Sequence, residues 1–344
     1  MRDCSKQISK FHREEVALTG DERSGMRKRR DANRDRVKNG LAKAGKPKPI
    51  GMHSQGSYSM WTMIQDDYCD YDIDDGIYFD SHVLKGPQGG EMTPLQVRQM
   101  ICDAVQDQRF NRAPETKTNC VRVFYNEGYH VDLPTYRRIA KHSIWSNKVE
   151  YTYELASSSW KASDPRAVTD WFKDTNEDVS PDYANTEGQF RRIVRLLKAF
   201  ARSRASWKGK TATGFMITKL AADCFVASDG RDDIALRETM KAIEARLGYN
   251  QVVGHPKLPI NITKEGDARP EHFRARLSEN LPHLDCLDKS DCSHAEAMAA
   301  WDKLFARSWF CDQPEPKEGE TTTAPSKAVE KAGGGRYASG QRYA

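Results

Sequence analysis

The chain has no run approaching ~18 consecutive apolar residues, which excludes a membrane-spanning helix. Its opening, Met1-Arg2-Asp3-Cys4-Ser5-Lys6, lacks the apolar core of a signal peptide. Its eight cysteines include no Cys-x-x-Cys pair, so reduced thiols in a cytoplasmic protein are expected. Nor does one sign of charge dominate. The 54 basic and 49 acidic residues leave +5, too balanced to mark a nucleic-acid binder, though it suits a protein that handles anionic nucleotides. What remains is a 344-residue chain, 30% charged, long enough for a sizeable core in one or two domains.

The most informative stretch runs from Gln55-Gly56-Ser57-Tyr58 to Tyr71-Asp72-Ile73-Asp74-Asp75-Gly76. A Gly-Ser turn at the mouth of a helix offers backbone N–H groups that suit triphosphate oxygens. Asp72 and Asp74 lie in an apolar frame, Ile73 and then Ile77-Tyr78-Phe79, which reads as a strand. Side chains at i and i+2 of a strand leave the same face about 7 Å apart. Carboxylates so placed can share two magnesium ions about 3.5–4 Å apart.

Further along, Cys120 to Tyr125 and Tyr129 to Leu133 read as a hairpin turned at Asn126-Glu127-Gly128, with His130 and Asp132 on one face. Asp132 is the candidate third carboxylate, and Pro134 is expected to end that ladder. A helix is predicted from Pro94 and another from Asp164-Pro165, with Asp164 as N-cap. Phe190, Ile193, Val194, Leu197 and Ala201 make a helical stripe. Lys198 borders that stripe, where spacing alone favours a snorkelling filler over a phosphate contact.

Residues 8–45 read as a polar helical region. Arg23, Arg27, Lys28, Arg29, Arg30, Arg34, Arg36 and Lys38 form a basic run that reads first as a solvated face, and otherwise as a phosphate-touching surface. His283, Cys286, Cys292 and His294 have the residue types of a zinc site, but their spacing fits no common pattern and ordinary loop residues are expected. The last 30 or so residues, rich in Glu, Thr and Gly, read as a disordered tail.

Ser-Gln-Gly-Ser-Tyr at 54–58, Asp72-Ile73-Asp74-Asp75-Gly76, His130-Val131-Asp132-Leu133-Pro134 and the run from Arg191 to Phe200 occur in the order seen in one family. Over roughly residues 50–310 the chain resembles the bacterial cGAS/DncV-like nucleotidyltransferases (CD-NTases), and most closely their cyclic GMP–AMP synthase branch. The resemblance implies an α+β fold: a DNA polymerase β-like lobe with a mixed sheet, a helical second lobe, and an active site in the cleft between them. The domains expected are an N-terminal helix with the catalytic core over 1–160, a mainly helical lobe over 161–312, and the tail over 313–344.

By the same resemblance Asp72, Asp74 and Asp132 are the magnesium-binding triad, with two ions per site. Gly56 and Ser57 hold the donor triphosphate, Lys198 becomes a triphosphate contact, and Thr213 and Arg122 match regions that contact nucleotide. Met60 stands where that branch has an aromatic residue three places after the serine.

The expected activity is synthesis of a cyclic di- or trinucleotide from ATP and GTP or other NTPs, with release of pyrophosphate. The setting implied is anti-phage signalling through an effector, without need of nucleic acid or membrane. A ubiquitin-transferase-like partner acting at Ala344 is a further implication. The alternatives are transfer of AMP to an RNA, protein or small-molecule acceptor, and a non-catalytic nucleic-acid sensor.

Overall fold

Asp72–Asp80 (β2) is the strand on which the sheet is built, and its side chains turn from alternating to continuously buried along its length, as on a central strand. This is a computed structural model, and it describes residues 1–65, 71–126, 128–142 and 149–315. The tail beyond residue 315, with Ala344, lies outside the described residues. The chain divides into two units, one comprising 18–60 and 65–170, the other 1–17, 61–64 and the described residues from 171 onward.

In the first unit Gly51–Ser54 (β1) pairs antiparallel with β2. Glu115–Thr116 (β3), Val121–Phe124 (β4) and His130–Leu133 (β5) are successive antiparallel neighbours, and β5 then lies parallel to the start of β2. Thr135–His142 (β6) is parallel to the end of β2, followed by antiparallel Val149–Ala156 (β7) and Trp160–Ala162 (β8). The result is a mixed sheet.

Pro134 does not stop the ladder as the sequence predicts. The register of β2 against β5 continues unchanged against β6, with Asp74 opposite Asp132 and Ile77 opposite Thr135. Proline forfeits only its own N–H. Its carbonyl still accepts from the Ile77 amide at 2.9 Å, so the strand carries on past it.

Gly20–Lys43 (α2) begins at a capping box between Thr19 and Glu22 and buries Met26, Asn33, Val37 and Leu41 along one side. Much of its basic run is not a bare solvated face. The Arg34 guanidinium holds Asp75, Arg36 donates to Asp107 at 2.9 Å, Arg29 lies 3.9 Å above the Tyr129 ring, and Arg23 lies 4.5 Å above Tyr58. These arginines fasten the helix down through ion pairs and cation–π contacts.

The first unit also contains the one-turn helix Gly56–Ser59 (α3) and Pro94–Ala104 (α4), which starts at a Thr93/Gln96 capping box with proline in its first turn. Pro165–Val179 (α5) follows β8, with Asp164 accepting from the Ala167 amide as its cap.

The second unit is helical: Ser5–Phe11 (α1), Gln189–Arg202 (α6), Gly214–Cys224 (α7), Asp232–Tyr249 (α8), Arg269–Asn280 (α9) and His294–Phe305 (α10). The expected stripe of α6 is fully buried. Its cations before Arg202 are buried as well: Arg192 pairs with Asp232 and Asp182, and Arg195 with Glu187. The first 17 residues and 61–64 join this unit rather than the sheet, with Ala17 bridging to Ile64. Among the described residues no helix is long and apolar enough to cross a membrane.

Candidate active site

A row of side chains crosses three neighbouring strands. Antiparallel pairing sets Arg122 of β4 opposite Asp132 of β5, and parallel pairing sets Asp132 opposite Asp74 of β2. The next row along the same face is Phe124, His130 and Asp72. The three acidic residues expected from the sequence are thus direct or diagonal neighbours on one sheet face.

Their environments differ. The Asp72 side chain is 52% exposed and that of Asp132 11%. Asp74 keeps slight solvent contact while enclosed by protein atoms. That desolvation, together with the charges of Asp132 and Asp72, pushes its pKa up to about 7 against the opposing pull of Arg122.

Arg122 sits among the carboxylates. Its Nε and Nη2 each donate at 2.8 Å to a different oxygen of Asp132, and Nη2 lies 3.3 Å from Asp72 Oδ1. His130 Nδ1 lies 3.5 Å from the same Asp72 oxygen. Among the described residues no three His, Cys, Asp or Glu side chains are gathered closely enough to grip one ion as they stand.

Gly56 closes the face from the side of β1. Its φ of +63° is the left-handed region, and a Cβ built on it would fall 2.5 Å from Asp74 Oδ2. The turn is held by Gln55, whose amide donates to the Asp74 carbonyl at 2.9 Å and whose buried side chain donates to Tyr136 OH at 2.9 Å. Ser57 follows in the first turn of α3, where backbone amides have no intrahelical acceptor. Met60 ends that turn and is buried. Gln55 was not singled out from the sequence. Only its position before a Gly-Ser pair hinted at a role.

The other two expected residues lie in the helical unit. Lys198 is buried, and its Nζ donates to Thr62 O at 3.0 Å and Thr62 Oγ1 at 2.8 Å. Burial first, then Arg202 and Arg195, pushes its pKa down to about 7. It therefore points inward rather than snorkelling. Thr213 is exposed and caps α7 by accepting from the Met216 amide, and the Lys198 side chain runs past Gly214 in that first turn.

His283, Cys286, Cys292 and His294 do not gather as a set: the Cys286 and Cys292 thiols are neighbours, but no three of these side chains come together. His294 Nε2 lies 3.0 Å from the Gln313 carbonyl, and the Cys286 thiol donates to His283 O at 3.5 Å. Every described cysteine is a free thiol.

A mixed sheet with a Gly-Ser turn against a strand Asp-x-Asp, and a third Asp on the parallel neighbour, has the fold of a DNA polymerase β-type nucleotidyltransferase. Residues 51–136 match the family described as "Cyclic GMP-AMP synthase DncV-like, nucleotidyltransferase domain".

A "Cyclic GMP-AMP synthase" of Escherichia albertii is 28% identical over 254 residues, 69% of this chain and 51% of the relative. The chain thus spans about half the length of that curated relative. The fold is shared with a variant of the Vibrio cholerae di-nucleotide cyclase (DncV) solved in complex with ATP, GTP and 5MTHFGLU2, at TM-score 0.69 and 16% identity, covering 91% of this chain and 98% of that one. It is shared also with the CD-NTase CdnG of Bradyrhizobium diazoefficiens in complex with GTP, at TM-score 0.64 and 14% identity, covering 88% and 95%.

Proposed function

We propose that the chain is a nucleotidyltransferase that joins nucleoside triphosphates into a cyclic di- or trinucleotide such as cyclic GMP–AMP, releasing pyrophosphate at each bond. The observation that carries this is the row Arg122–Asp132–Asp74, with Asp72 beside it and the Gly56 turn against Asp74, inside a DncV-like domain. Relatives named as a cyclic GMP–AMP synthase and a di-nucleotide cyclase, the latter with ATP and GTP bound, support ATP and GTP as substrates.

The residue types fit a divalent metal, although as they stand no three of these side chains close on one point. Three carboxylates face one guanidinium, so the cluster is short of positive charge, and burial followed by the charges of Asp132 and Asp72 raises Asp74. Asp72, Asp74 and Asp132 would hold magnesium, two ions in this proposal. Bound there, magnesium supplies charge stabilisation at the triphosphate and lowers the pKa of the acceptor hydroxyl.

The protein does the positioning. Gly56 and Ser57 present backbone amides to the donor phosphates, Lys198 offers a cation to them, and Thr213 borders the base. The acceptor 3′-hydroxyl attacks the α-phosphorus in line with the departing pyrophosphate, and no protein nucleophile intervenes. The linear product is then turned for ring closure. The setting proposed is anti-phage signalling through an effector that reads the product, with Ala344 as the point of attachment for a conjugating partner.

Incubating the full chain with Mg2+ and the four NTPs, followed by mass spectrometry, tests the reading. A cyclic product that disappears in Asp132→Asn is expected. Label transferred only to an added RNA, protein or small molecule favours the AMP-transfer alternative. Steeply salt-dependent duplex binding without turnover favours the sensor.

A further inference from the structure

We propose that Arg122 is a displaceable counter-ion of the acidic cluster, a positioning residue that sets how readily the cluster takes up a divalent cation. The proposal rests on the reading of the site given above.

The register of the sheet makes this seat. Arg122 stands directly across from Asp132, and its fork takes both oxygens of that carboxylate while reaching Asp72. These are oxygens that a cation shared by the three acids would need. Guanidinium does not shed its proton in proteins, so Arg122 stays positive and repels any second cation drawn to the same carboxylates. Binding of a metal and retention of Arg122 in its seat oppose each other.

Arg122 is also able to leave. Its side chain is 27% exposed, and although the forked Asp132 is only 11% exposed, the Asp72 that its Nη2 reaches at 3.3 Å is 52% exposed. Another arginine–aspartate fork of this unit differs at the carboxylate: Asp75, held by Arg34, is fully buried. Once displaced, the Arg122 guanidinium remains tethered to β4 beside the cluster. A phosphate is the group it would then meet. The metal-free site is thereby kept from carrying three uncompensated carboxylates.

The test uses the full chain and Mn2+ alone, with binding followed by titration calorimetry or electron paramagnetic resonance. Arg122→Gln is expected to bind Mn2+ about tenfold more tightly than wild type, the order of effect of removing one adjacent like charge. Arg122→Lys, which keeps the charge, is expected to stay close to wild type. Unchanged or weaker binding in Arg122→Gln overturns the proposal.

A second measurement needs no variant. Phenylglyoxal labelling of wild-type Arg122, read by mass spectrometry, is expected to accelerate when Mn2+ saturates the protein, and an unchanged rate overturns the proposal. Equal Mn2+ affinities alongside intact NTP turnover remove this inference and leave the nucleotidyl-transfer reading standing. Absence of Mn2+ binding in every protein removes both.

Discussion

Arg34 of α2 grips Asp75 of β2 with both arms of its guanidinium, Nε to Oδ2 at 2.7 Å and Nη2 to Oδ1 at 2.6 Å, one residue beyond Asp74. Asp75 is fully buried and also accepts from Ser54 Oγ at 3.1 Å. Removing Arg34 strands a buried carboxylate, whereas removing both partners does not. Arg34→Ala is expected to destabilise the protein by about 3 kcal/mol, and Arg34→Met with Asp75→Leu by clearly less. Urea denaturation of the two variants against wild type checks this; equal losses would show that the pair does not act as a unit.

That ion pair also marks where the sequence stopped being legible. Asp72, Asp74 and Asp132 were found because local features mark them: apolar residues framing a strand, a preceding Gly-Ser, a hairpin with acid on one face. The partners of Arg34, Arg29 and Arg36 lie far along the chain, at Asp75, Tyr129 and Asp107. Local periodicity therefore showed only a charged helix. The snorkelling reading of Lys198 fails similarly, since its inward course depends on Thr62, 136 residues away. The membership of 1–17 in the helical unit has the same cause, being set by packing that no local pattern records.

Gly56 has no room for a side chain. With φ at +63° and Asp74 Oδ2 at 2.5 Å from an added Cβ, alanine must both strain the backbone and push the carboxylate aside. Gly56→Ala is expected to cost about 1–3 kcal/mol in stability. It is expected to slow nucleotide transfer about 100-fold, the scale of a 1 Å misplacement of reacting groups. Thermal melts and product assays on one preparation separate the two effects. A variant as active as wild type would show that Asp74 needs no fixed position.

Asp72→Asn with Asp74→Asn removes two of the three crowded acids while leaving the fork between Arg122 and Asp132 in place. In EDTA the doubled variant is expected to be at least as stable as wild type, by up to about 1 kcal/mol, because like charges no longer face each other. Magnesium should raise the melting temperature of wild type and leave the variant unmoved, since a ligand stabilises only the state that binds it. Differential scanning calorimetry with and without Mg2+ reads both. Equal shifts in the two proteins would place the ion away from these carboxylates.

His12 gives the helical unit an acid limit. It is fully enclosed, with Nε2 3.3 Å from Arg195 Nη1 and 4.0 Å from Glu187 Oε1, and Arg192 and Asp232 also act on it. Burial outweighs the attraction of Glu187 and takes its pKa down to about 3. The folded protein therefore keeps His12 neutral while the unfolded chain, titrating near 6.5, gains a proton. Stability is unaffected at pH 8 and falls as the pH drops below about 6.5, at about 1.4 kcal/mol per pH unit. Glu187 adds a separate loss at lower pH. Burial raises its pKa, but Arg195 and His12 bring it to about 2, so its contribution fades only below the ordinary glutamate range. His12→Gln, whose amide oxygen can still accept from Arg195, has no such proton to gain. Between pH 7 and pH 5 wild type should lose about 2 kcal/mol more than the variant. Parallel denaturant melts at the two pH values decide it: identical losses would mean that His12 is protonated in the folded state and that the Arg195 contact is not what holds it.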